Sequence, residues 1–95
     1  MNIPDKIMLL EHEIKVIRDT GGLLPKAGEY NDWYKRIFVT KDDYPEHCQA
    51  ETFMHEIFEA TNLIFDLGLD HKTLTILSEN LFSVIRRNKL DFINP

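Results

Sequence analysis

The sequence predicts an α+β fold, with a three-stranded, mostly antiparallel sheet followed by two antiparallel helices. Three observations lead to it. Glu13-Ile14-Lys15-Val16-Ile17-Arg18 alternates polar and apolar side chains and is rich in β-branched residues, which suits a half-buried strand. Two long stretches in the second half of the chain instead repeat apolar residues every three to four positions, the period of a helix. Few residues join those two stretches, and short links make antiparallel neighbours.

In chain order, Lys6-Ile7-Met8-Leu9-Leu10 reads as a first strand, Glu11-His12 as a tight connection, and residues 13–18 as the second arm of a hairpin. Thr20-Gly21-Gly22 breaks the pattern, and residues 20–32 hold three of the four glycines, so this stretch is expected to be a loop. Residues 34–39 supply the third strand. Asp42-Asp43-Tyr44-Pro45-Glu46 places acids and a proline where a helix begins. The first helix is expected over 45–67, with Gly68 at its C-terminal cap. Asp70 caps a second helix over 71–88, whose last turn carries Arg86 and Arg87 against the negative end of the dipole. Phe53, Ile57, Ala60, Ile64 and Leu67 line one side of the first helix, widened by Met54, Phe58 and Phe65. So broad a face predicts burial against both the sheet and the second helix. Leu74, Leu77, Leu81 and Val84 form the matching seam on the second helix and are expected to be buried with it.

A chain of 95 residues fits one domain, 1–95, with a modest core. Its 43% hydrophobic and 28% charged residues are ordinary for a globular protein. No apolar run approaches the roughly 20 residues of a membrane helix. The start, Met1-Asn2-Ile3-Pro4-Asp5-Lys6, lacks the pattern of a signal peptide. Cys48 is the single cysteine, which rules out an internal disulfide and a multi-cysteine zinc site. A cytoplasmic protein is therefore expected. The formal charge is −5, and the only dense basic spots are Lys35-Arg36 and Arg86-Arg87. Duplex binding needs clustered cations, so neither nucleic acid nor membrane is an expected partner.

The chemistry sits on the first helix. Opposite its apolar stripe run Glu51, His55, Glu59, Asn62 and Asp66, at spacings of three and four. Residues four apart on a helix stand about 5–6 Å apart at Cβ, so His55 and Glu59 can converge on one metal ion with bonds of about 2.0–2.2 Å. Glu56, one step round the helix, stands where a base could hold a water molecule. A stripe of this composition is also what a solvated helix face looks like, and spacing alone leaves both readings open.

Thr52-Phe53-Met54-His55-Glu56-Ile57-Phe58-Glu59-Ala60-Thr61-Asn62 resembles the T-L-L-H-E-I-I-E-A-I-N stretch of small phage-encoded metallopeptidase-like proteins. These look like reduced relatives of the ImmA/IrrE-type zinc peptidases, whose helix carries H-E-x-x-H. The likeness extends upstream to Ile3-Pro4-Asp5-Lys6-Ile7 and Glu11-His12-Glu13-Ile14-Lys15-Val16, similar to the family's opening hairpin. Downstream, Leu69-Asp70-His71 and residues 77–88 are similar to its closing helix. The resemblance implies a reduced zincin-like domain in the cytoplasm of a host bacterium. It further implies zinc on His55, Glu59 and His71, with Glu56 as the catalytic base and a peptide as substrate. Glu59 stands where the peptidase motif has its second histidine, and a carboxylate tolerates ions other than zinc.

The third ligand has a rival. If the first helix ends near Leu67, Glu59 lies about eight residues, or roughly 12 Å, from that end. An antiparallel partner would then bring Glu79, rather than His71, level with it. His12 and His47 have no partner at ligand spacing, and Cys48 reads as a half-buried helix residue. Tyr30, Trp33 and Tyr34 are expected to plug the open end of the sheet; if exposed, they suggest a protein-binding patch. Two functions compete. One is a metal-dependent peptide hydrolase with an altered H-E-x-x-E motif. The other is a catalytically inactive protein of the same fold that binds and redirects a host protein.

Overall fold

The computed structural model describes residues 3–19, 27–40 and 45–90. The Thr20-Gly21-Gly22 break and the acids Asp42 and Asp43 lie outside them. The elements run β1 (Lys6–Leu9), β2 (His12–Asp19), β3 (Gly28–Asn31), β4 (Arg36–Thr40), α1 (Glu46–Ile64) and α2 (His71–Asn88). The α+β class and the two helices agree with the sequence reading. Among the described residues, no helix is long and apolar enough to cross a membrane.

The sheet corrects the expected three antiparallel strands. It has four strands in the order β1-β2-β4-β3 and is mixed. β1 and β2 form the expected antiparallel hairpin, with Ile7 opposite Ile14. β2 and β4 run parallel, with Val16 opposite Ile37. β3 pairs antiparallel with β4 on the outer edge. This extra strand lies inside the expected 20–32 loop. Gly28-Glu29-Tyr30-Asn31 carries no β-branched residue, so no local pattern betrayed it. Its pairing with β4 makes it a strand.

Period-two alternation places Ile14 and Val16 of β2, and Ile37 and Val39 of β4, on one face, all buried. Phe53 and Ala60 of α1 close that core, and Ile57 and Ile64 pack beside them. Gly28 is the point of closest approach between β3 and α1. A Cβ there would stand 2.5 Å from Thr52 Cγ2 and 3.0 Å from the Phe38 carbonyl oxygen, so only glycine lets the helix lie this close to the edge strand.

The helix link differs from the expected one in a way that matters below. α1 stops at Ile64, three residues before Leu67. Asp66, not Gly68, takes the left-handed position that ends it, with φ 53°. The Leu67 N–H returns to the Asn62 carbonyl at 3.0 Å and the Asp66 N–H to Leu63 at 3.4 Å, the Schellman pattern. Gly68 is also left-handed, at φ 67°, but within the link. Asn62 then holds the link by both ends of its amide: Nδ2 donates to the Leu69 carbonyl at 3.1 Å, and Oδ1 accepts from the Leu69 N–H at 2.9 Å. Asp70 caps α2 as expected, accepting from the Thr73 N–H at 2.8 Å. That donation holds the Asp70 carboxyl below the usual carboxylate range.

α2 packs on α1 through a different stripe from the expected one. Leu74 and Ser78 are buried, whereas Leu77, Leu81 and Val84 remain 44%, 40% and 39% exposed. The link and the Asp70 cap rotate α2 so that Leu74, Ser78, Phe82 and Ile85 turn inward. The apolar seam is left at the solvent edge. Two truncations separate these roles. Leu74→Ala is expected to cost about 2–5 kcal/mol, as buried leucines do. Leu81→Ala should cost no more than about 1.5 kcal/mol. Chemical denaturation of both variants checks this, and equal losses would mean that α2 is rotated otherwise.

Candidate metal centre

The inward turn of α2 brings three ligating side chains together. His55 Nε2 lies 3.4 Å from Glu59 Oε1, one helical turn away on α1. His71 Nδ1, from the first turn of α2, lies 3.4 Å from the same oxygen. One ligand atom from each of the three residues falls within 4.8 Å of the others, so the group could hold a metal ion. The rings of His55 and His71 meet edge to face, 5.3 Å between centroids. His71 reaches Glu59 because α1 ends early: Ile64 is five residues beyond Glu59, about 7.5 Å of helix. The Asn62 clamp then folds the link straight back. Glu79, which the longer helix would have brought level, lies exposed elsewhere along the same cleft.

Hydrogen bonds around the group hold the His55 ring. The Ser78 hydroxyl, 1% exposed, donates its one proton to the Thr75 carbonyl at 3.1 Å. Its oxygen can therefore only accept from His55 Nδ1, at 3.3 Å. The other ring nitrogen, Nε2, faces Glu59 Oε1 at 3.4 Å, close to the spacing of about 3.3–3.4 Å between two ligands of one tetrahedral ion with bonds of about 2.0–2.1 Å. The donor set, two imidazoles and a carboxylate, suits a borderline divalent ion such as zinc. On the far side of His71, Nε2 stands 3.5 Å from Thr75 Oγ1.

The group opens on a cleft of about 730 Å³ between α1, α2 and β3. The wall opposite the helices is the edge strand β3, through Gly28, Glu29 and Tyr30, with Ala27 just before it. Glu56 is 7% exposed and lines this cleft against Gly28, where a Cβ would stand 3.3 Å from Glu56 Cγ. The glycine thus makes room for the glutamate. Tyr30 donates to Asp32 at 2.9 Å. Burial, and then that carboxylate, push its phenol well above its ordinary range, so it stays protonated.

Ser78 and Thr75 escaped the sequence reading. Their signal was their spacing: His71, Thr75 and Ser78 stand at i, i+4 and i+7, a polar line on one face of α2. The remaining candidates do not join the group. His12 packs edge to face on Phe65 at 5.6 Å. Cys48 is half-buried, its Sγ 3.4 Å from His47 Nε2. Trp33 is 87% and Tyr34 60% exposed, so neither plugs the sheet; the Arg36 guanidinium stacks 4.3 Å above the Tyr34 ring.

Comparison with protein-family models, with curated proteins and with solved structures finds no match to this chain. The functional reading accordingly rests on the chain's own residues. Because Ser78 holds the His55 ring, Ser78→Ala should weaken any metal binding at the group by about tenfold or more, the usual effect of losing a ligand's hydrogen-bond partner. Calorimetric titration of both proteins measures this. An unchanged affinity would remove Ser78 from the centre.

Proposed function

We propose that this chain is a small metal-dependent peptide hydrolase, of the kind its sequence resembles among the phage-encoded relatives of the ImmA/IrrE-type zinc peptidases. The observation that carries the proposal is the convergence of His55, Glu59 and His71, with 3.4 Å between Glu59 and each imidazole nitrogen. When bound there, zinc supplies a Lewis acid that polarises a carbonyl oxygen and makes water more acidic.

The chain's residues supply the rest. His55 and His71 present imidazole nitrogens to the ion, His55 held by Ser78. Glu56 stands on the β3 side of the same turn, where its carboxylate takes the proton of the attacking water. As the water oxygen joins the carbonyl carbon, the C–N bond breaks. Glu56 hands its proton to the departing nitrogen, leaving a carboxylic acid and an amine. Burial of Glu56 beside Gly28 keeps bulk water from competing for that proton.

One observation favours a second reading, a protein of this fold that binds a host protein without chemistry. Leu77, Leu81 and Val84 form an exposed apolar stripe on α2, and Trp33 projects from the β3–β4 turn. Such surfaces are common in partner-binding proteins.

A metal titration separates the two. The native chain is expected to bind zinc at micromolar concentration or tighter, and His55→Ala to lose that binding. Imidazole must be deprotonated to ligate, so affinity should fall as the solution is made acidic. Glu56→Gln should keep the metal and abolish hydrolysis. If the native chain binds no zinc, manganese or iron at micromolar levels, the hydrolase reading fails and the binding protein takes its place.

A further inference from the structure

We infer that the cleft selects peptides carrying a lysine or arginine side chain, recognised by Glu29, Glu51 and Glu79. The inference deepens the hydrolase reading and rests on it for the substrate being a peptide. The cleft is a site by virtue of its metal-ligating group; its charge decides what enters. Five carboxylates line it, Glu29 from β3, Glu51, Glu56 and Glu59 from α1, and Glu79 from α2, and among the described residues no lysine or arginine does.

The five fall into two sets. Glu59 is engaged by His55 and His71, and Glu56 is buried against β3. Glu29 and Glu79 are exposed and Glu51 half-buried, on three different elements around the opening. None of these three carboxylates makes a hydrogen bond or ion pair with another described residue. Among the described residues, nothing else neutralises their charge. A divalent ion on His55, Glu59 and His71 offsets only two of the five carboxylate charges, so the loaded cleft remains negative. The volume, about 730 Å³, lies within the usual span of ligand clefts, roughly 300–1,000 Å³. The formal charge of −5 adds a long-range pull on cations. An acidic peptide would meet like charge on three sides.

The test uses the full chain, with zinc and without it, and short labelled alanine-based peptides in which lysine is walked through each position. The same set with glutamine, and with glutamate, serves as control. Anisotropy should show the best lysine peptide binding about threefold tighter than its glutamine counterpart at low salt, the effect of a rim ion pair. The ratio should shrink at high salt. In the triple variant Glu29→Gln, Glu51→Gln, Glu79→Gln, it should approach one while zinc affinity stays within a few-fold. Equal binding of lysine and glutamine peptides overturns the inference, as does a preference that survives in the triple variant. Failure of every peptide to bind at millimolar concentration overturns it too. Failure to bind zinc overturns the hydrolase reading alone, because the peptide ratio in the metal-free chain still decides the charge selectivity.

Discussion

The link between the two helices is the constraint on which the rest of the molecule depends. Asn62 grips Leu69 through both its amide oxygen and its amide nitrogen, and Asp66 and Gly68 take left-handed backbone conformations between them. The backbone turn at Asp66 ends α1 early, and the Asn62 side chain then holds the reversed chain and fixes where α2 begins. With Asp70 capping the next turn, little freedom is left in either the height or the rotation of α2. His71 comes level with Glu59 for this reason.

The same rotation explains an apparent waste of apolar surface. α2 turns Ser78 into a position 1% exposed, while Leu77, Leu81 and Val84 stay near the solvent. Burying a hydroxyl is costly unless it is satisfied. Ser78 is satisfied twice, donating to Thr75 and accepting from His55. The helix thus exchanges part of its apolar contact for a polar strut that orients the His55 ring of the candidate metal centre. A packing made for stability alone would have turned the leucine seam inward.

The opposite wall of the cleft has a similar logic. β3 is a short edge strand, weak in local preference, yet it carries Gly28, Glu29 and Tyr30 into the cleft. Its glycine admits α1 so closely that Glu56 is buried between helix and strand. A residue with a side chain at that position would push Thr52 and Glu56 away together. The buried carboxylate and the histidine pair therefore depend on two features that are not themselves reactive, one glycine and one asparagine.

Much of this was legible in the sequence because it is local. The β1–β2 hairpin, the two helices, the Asp70 cap and the four-residue spacing of His55 and Glu59 each follow from periodicity or capping within a few residues. The tertiary structure decided what depends on distant partners. Gly28–Asn31 became a strand only by pairing with β4, which also left β2 and β4 parallel. The expected cap at Gly68 yielded to Asp66, because backbone hydrogen bonds to Asn62 and Leu63 close the helix there. Spacing alone favoured Glu79 for the third position of the group, since it assumed a helix running to Leu67. The resemblance had pointed to His71, and His71 stands beside Glu59 because the turn closes three residues sooner. Periodicity records which faces of a helix are apolar. It does not record how far the helix runs or which apolar face its neighbour will cover, because those are set by contacts between residues far apart in the chain.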